Sequence, residues 1–266
     1  MILLPAEGNP RPVSERRGVV LPLVIHPRVL KNMRILLTGA DQPLGVLAAS
    51  MLRRRHEVRL VGAQASAPTG GEGLPYAPAD LREPEAVAPL LEGVDAVVHL
   101  APYERANLSD PAAEGEAINL AARGTYVLLH AALKAGVRRF VLASRLELMA
   151  GYPAEYRVDE TWKPLPQTDA ASLVPYLAEL TVREFVRAEN VVGVCLRFGP
   201  LGSDPDGTTP GDALTAIERA LAMDLEERKY RWWLYHICST DRYVLGAAAD
   251  APLQFSRGAG TASLAG

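Results

Sequence analysis

The stretch Arg34-Ile35-Leu36-Leu37-Thr38-Gly39-Ala40-Asp41-Gln42-Pro43-Leu44-Gly45 decides the fold. Ile35, Leu36 and Leu37 form an apolar run of the length expected of a buried parallel strand, and Thr38-Gly39 breaks it. From there Leu44, Leu47, Ala48, Met51 and Leu52 recur at helical spacing. Strand, glycine turn and helix make the first unit of a nucleotide-binding sheet. Such a turn lets backbone N–H groups and the positive end of a helix face a pyrophosphate. A glycine turn alone fits an unliganded tight turn as well, so the fold reading rests on what surrounds it.

Downstream the pattern repeats. Strands are expected at 57–61, 74–78, 95–100, 139–143 and 191–196. Helices are expected at 83–91, with Pro84 near its first position, at 113–135, closed by Gly136, and at 172–189, capped by Ser172. Alternating strands and helices joined by right-handed crossovers give a doubly wound parallel α/β sheet of Rossmann type. Ligands then sit beyond the C-terminal strand ends, which selects the loops after Leu37, Val61, Leu100, Ala143 and Leu196. After Gly199 the pattern loosens into a long loop, a helix at 212–222, a strand at 231–238 and a helix at 240–249. The predicted organisation is an N-terminal extension over 1–32 broken by prolines, a nucleotide-binding domain over 33–198, and a small substrate-side lobe over 199–266 packed on the same domain.

With 266 residues, 48% of them hydrophobic, the chain can bury a large core. Its formal net charge of −3 argues against a dedicated nucleic-acid binder. The run Arg228-Lys229-Tyr230-Arg231-Trp232-Trp233 mixes charge and aromatics, but one short run on an acidic chain reads as lobe packing or pocket lining. No apolar run reaches the roughly 18 residues of a membrane span. Cys195 and Cys238 lie in strand-like stretches without metal-ligand spacing, which suits buried thiols and a cytoplasmic location. His99 reads as a packed histidine at a strand end, and His236 as part of a buried strand.

From about Met33 to Ala249 the chain resembles the extended short-chain dehydrogenase/reductases, the NAD-dependent epimerase/dehydratase group. Thr38-Gly39 with Gly45 is similar to its glycine turn, and Asp80-Leu81 to its adenine-contacting pair. His99-Leu100-Ala101 resembles the segment after the fourth strand. Asn119 with Gly124-Thr125 resembles the long helix, and 135–141 the fifth strand. Pro175-Tyr176 resembles the catalytic helix, and Leu196-Arg197 with Gly199-Pro200 the sixth strand and its loop. The resemblance implies NAD or NADP held by Thr38, Gly39, Gln42, Leu44, Gly45, Asp80, Leu81, Leu100, Ala101 and Asn119. It implies a sugar-like or nucleotide-sugar substrate, catalysis by Tyr176, Ser144 and Arg145, and pairing of copies through the long helices, which the sequence itself does not show. No metal is implied.

Four departures stand against the family pattern. Gln42 occupies the middle glycine position of the turn, where glycine lets the backbone approach pyrophosphate. The end of the second strand, Val61-Gly62-Ala63, lacks the acid that accepts the ribose 2′-OH and has no arginine beside it. The Tyr-x-x-x-Lys pair becomes Tyr176 and Leu180, on one helix face. An ordinary phenol titrates at about 10, and bringing it to 7 takes about 4 kcal/mol, which leucine does not supply. Arg145 falls where a catalytic serine is usual. A relocated cation, Arg145 or Arg183, is one way to restore the chemistry. Two readings stay open: an NAD(P)-dependent oxidoreductase, epimerase or dehydratase, and a catalytically inactive scaffold or nucleotide-responsive binding protein. Isomerisation or hydrolysis in the same cleft is a third.

Overall fold

A computed structural model of the chain describes residues 32–102, 108, 110–202, 206–223, 231–240, 242–243 and 253. The extension, most of the helix expected at 240–249 and the basic residues 228–230 lie outside these. Seven parallel strands form one sheet in the order β3-β2-β1-β4-β5-β6-β7. They are β1 (Arg34–Thr38), β2 (Glu57–Gly62), β3 (Tyr76–Pro78), β4 (Ala96–His99), β5 (Arg139–Arg145), β6 (Val192–Phe198) and β7 (Trp232–Ile237). The strand order reverses at β1, which pairs with β2 on one side and β4 on the other.

Alternation along each strand splits the core in two. Ile35, Leu37, Val98 and Val141 point to one face, where α1 (Pro43–Leu52) and α6 (Pro210–Ala222) cover them. Leu36, Val97, Phe140 and Leu142 point to the other. There the cover is α2 (Pro84–Val87), α4 (Thr125–Lys134) and α5 (Ala170–Ala188), while α3 (Pro111–Asn119), with no buried residue, packs outside against α5. The single long helix expected at 113–135 is α3 and α4 joined by a π-turn at Leu120–Gly124. Among the described residues after 198, α6 packs beneath the sheet and β7 extends it beside β6.

Helix starts differ from expectation for reasons of capping. The α5 cap is Asp169, not Ser172: its carboxylate accepts the Ser172 N–H at 2.9 Å and the Ser172 hydroxyl at 3.0 Å. Helix α6 starts two residues early because Thr209 accepts the Asp212 N–H and Pro210 fits the first turn. Strands β5 and β6 both run two residues beyond their expected ends, in register through Arg145 and Phe198. Cys195 and Cys238 are buried and in no disulfide, and burial pushes the Cys195 thiol up, with the Glu179 carboxylate adding to the shift. No helix among the described residues is long and apolar enough to cross a membrane.

Candidate active site at the C-terminal strand ends

The glycine turn sits at the switch point, against β4. Gly39 has φ +70°, and a Cβ there would lie 2.7 Å from the Ala101 nitrogen. A Cβ on Gly45 would lie 2.0 Å from the Gly39 carbonyl oxygen. Both positions therefore need glycine, one for its left-handed backbone and one for close seating of α1 on the turn. Gly45→Ala is expected to lower stability by about 1–3 kcal/mol, a fall in Tm of about 3–10 °C, and to weaken nucleotide binding; thermal unfolding and titration check both.

Gln42 does not need a glycine's freedom. It is the N-cap of α1 with φ −93° and ψ 157°, an extended conformation open to any residue, and its side chain caps nothing. Behind it the first N–H groups of α1 have no intrahelical acceptor, as at any helix start. Thr38 and His99 tie β1 to β4: Thr38 Oγ1 lies 2.6 Å from His99 Nδ1, and Thr125 Oγ1 lies 3.0 Å from Nε2. Burial holds the His99 imidazole down at about 3, so it is a neutral structural link. Leu44 and Leu100 are buried beneath the turn.

The other expected cofactor residues lie away from the turn. Asp80 follows β3, and its carboxylate is forked by Arg82, which also pairs with Glu116. That hydrogen-bonded guanidinium holds the Asp80 carboxyl below its usual range. Leu81 packs in the second core cluster, and Asn119 is exposed at the end of α3. The end of β2 instead meets the carboxylate of Asp41, from the turn itself. Its Oδ2 accepts the Ala63 N–H at 2.8 Å and the Gln64 N–H at 3.1 Å.

A cleft of about 610 Å³ opens beside the turn, lined by Pro43 of α1, Arg145, Glu147, Phe198, Gly199 and Tyr243 among others. Arg145 ion-pairs with Glu147. It also donates a 3.4 Å hydrogen bond to the Ala171 carbonyl. Pro175 lies inside α5, four residues after Ala171, and supplies no N–H for that carbonyl.

Ser144 and Tyr176 are not in this cleft's lining. Ser144 is fully buried on the opposite face of β5 and donates to Glu179 Oε1 at 2.5 Å. Glu179 is forked by Arg197 at 2.7 and 2.6 Å. Arg197 Nη1 lies 3.3 Å from His236 Nε2, and His236 Nδ1 lies 2.7 Å from the Tyr243 carbonyl. A carbonyl only accepts, so Nδ1 carries the proton and Nε2 accepts from arginine. Burial, then the Arg197 charge, lowers the His236 imidazole to about 3. Burial works to discharge Arg197, and the bonded Glu179 carboxylate overrides it and raises its pKa. Tyr176 lines a neighbouring hollow of about 340 Å³ with Glu179, Leu180, Arg183 and Arg197. The cations lining the same hollow are Lys163, Arg183 and Arg197, and Arg145 belongs to the other cleft.

Residues 35–229 match the NAD dependent epimerase/dehydratase family. The chain belongs to this family. A uronate dehydrogenase of Pseudomonas putida is 33% identical to this epimerase/dehydratase chain over 127 residues, 47% of the chain and 46% of the relative. The chain spans less than half the length of the curated relatives it matches. Among solved structures, a mutated uronate dehydrogenase superposes with TM-score 0.68 at 20% identity, covering 84% of this chain and 80% of the other. A UDP-glucose-4-epimerase from Stenotrophomonas maltophila, with bound NAD and formylated UDP-arabinopyranose, gives 0.66 at 17% identity and covers 78% of each. At such identities the shared property is the fold.

Proposed function

We propose that the chain binds NAD across the ends of β1, β2 and β4 and oxidises or epimerises a sugar-like small molecule in the cleft beside Arg145. One observation carries this reading: Pro43, at the first position of α1, lines the same cleft as Arg145 and the loop after β6. A dinucleotide cradled by the turn would therefore reach into the space where a substrate fits. The turn suits that group, because Gly39 and Gly45 keep the close backbone approach and Gln42 leaves the helix start open. The N–H groups of Leu44 and Gly45 would hold the pyrophosphate, with Leu100 and Ala101 flanking it. NAD when bound supplies the hydride acceptor.

The chain's own residues do the rest. Arg145 orients a substrate hydroxyl or carboxylate, held by Glu147 and by the Ala171 carbonyl. Ser144 holds Glu179 rather than substrate in this arrangement. The relatives named above, dehydrogenases and an epimerase, favour a sugar or sugar acid as substrate.

The test is NADH formation from NAD with a panel of aldoses and uronates, after calorimetric titration of NAD. Micromolar binding with turnover is expected, and Arg145→Met should cut turnover by about 100-fold or more. Unchanged turnover in Arg145→Met overturns the Arg145 cleft as the substrate site, and a loss of turnover in Tyr176→Phe moves the reacting hydroxyl to the neighbouring hollow. The second reading, nucleotide binding without turnover, is favoured by the engagement of Ser144 with Glu179 and by Leu180 in place of lysine. Tight NAD binding with no product from any sugar selects it.

A further inference from the structure

We infer that Asp41 selects NAD against NADP, replacing from the glycine turn the acid that the end of β2 lacks. This deepens the proposed dinucleotide site and rests on it. In sheets of this kind an acid at that strand end accepts the ribose 2′-OH, and a nearby arginine accommodates a 2′-phosphate instead.

The geometry brings Asp41 to that place. Thr38 of β1 is in register with Val61 of β2, and the Ala40 N–H donates to the Val61 carbonyl at 3.0 Å. The next residue, Asp41, lays its carboxylate across the end of β2, where Oδ2 takes the Ala63 and Gln64 N–H groups. Gly62 makes room for it. A Cβ there would lie 2.7 Å from Asp41 Cγ and 2.8 Å from Oδ1. The absence of a side chain at Gly62 and the presence of an acid at Asp41 are thus one arrangement. Tyr76 donates its hydroxyl to the Gln64 carbonyl at 2.6 Å and fixes the far side of the same loop.

Two features suit this carboxylate to a ribose. Its Oδ1 has no hydrogen-bond partner among the described residues, because both backbone donors go to Oδ2. A 2′-OH can donate to that oxygen. Among the described residues no cation is paired with Asp41. A 2′-phosphate would bring about two negative charges against an uncompensated carboxylate.

Calorimetric titration of the full chain with NAD and with NADP tests this, repeated for Asp41→Asn and Asp41→Ser. Asparagine keeps an oxygen for the two N–H groups and removes the charge; serine is the second neutral variant, and circular dichroism reports that each is folded. The native chain is expected to hold NAD about 30-fold or more tighter than NADP, the range a charged hydrogen bond spans. The neutral variants should shrink that ratio at least about tenfold, chiefly by gaining NADP. Equal affinities in the native chain, or an unchanged ratio in the folded variants, overturn the selection role and leave the dinucleotide site standing. Loss of folding in both variants assigns Asp41 to the turn alone and overturns it too. Failure of the native chain to bind either nucleotide overturns the dinucleotide reading, and this role with it.

Discussion

Arg197→Met is expected to lower the free energy of unfolding by about 3–5 kcal/mol, the cost of leaving a buried carboxylate without its partner. Arg197 and Glu179 are 2% and 4% exposed, so water cannot replace the lost guanidinium. The substitution also removes the donor that His236 Nε2 accepts from. Against a total of about 5–15 kcal/mol for a typical domain, that loss brings the chain close to unfolding. Glu179→Leu alone should cost a similar amount, because it strands Arg197. The double variant should recover most of the stability, since two apolar side chains replace a pair whose desolvation offsets its attraction. Urea unfolding of the four proteins measures the cycle. Additive losses in the double variant would mean that the two side chains act independently, contrary to the fork between them.

Stability is also expected to fall steeply below neutrality, through His99 and His236. Both are buried and neutral, with imidazoles held at about 3. Their unfolded values are about 6.5. Between those limits the unfolded chain binds protons that the folded chain refuses. The stabilisation is therefore complete above about pH 6.5 and is lost as pH falls towards 3. At pH 4.5 each histidine costs about 2–3 kcal/mol, together about 5 kcal/mol. Glu160 works in the opposite sense. Burial raises its carboxyl, so the folded chain keeps a proton there that the unfolded chain has lost, which offsets part of the acid loss. Urea midpoints at pH 7 and pH 4.5 measure the fall, and His236→Gln should remove about half of the histidine share. A flat profile would mean that these imidazoles are open to protons in the folded chain.

The fold was legible in the sequence because each unit carries its own signal. Ile35 to Leu37 reads as a strand by its apolar run, and Leu44 to Leu52 as a helix by its period, without knowledge of anything distant. What failed was local competition: Asp169 and Ser172 are both good caps, and only the backbone path shows which one faces the helix end. The site was legible in part. Gly39 and Gly45 declare themselves because their backbone requirement is written in the residue type. Asp41 does not, since its meaning depends on Gly62, 21 positions away, having no side chain. Glu179 and Arg197 escaped for the same reason, although a signal existed: an arginine inside Val194-Cys195-Leu196-Arg197-Phe198, an otherwise apolar strand, demands a buried partner. The sequence offers two cations in place of the missing lysine, Arg145 and Arg183. Arg183 does share the hollow of Tyr176, whereas Arg145 lines the other cleft.

Pro175 has an effect beyond the helix it interrupts. By withholding one N–H from Ala171, it leaves a carbonyl that receives the Arg145 guanidinium. A long cationic side chain at the rim of an open cleft would otherwise sample many rotamers, and fixing it on arrival of a ligand costs up to about 2 kcal/mol in entropy. Here much of that ordering is complete before anything binds. The helix gives up a hydrogen bond of its own, and the cleft gains a preorganised charge whose aim is set by the first turns of α5.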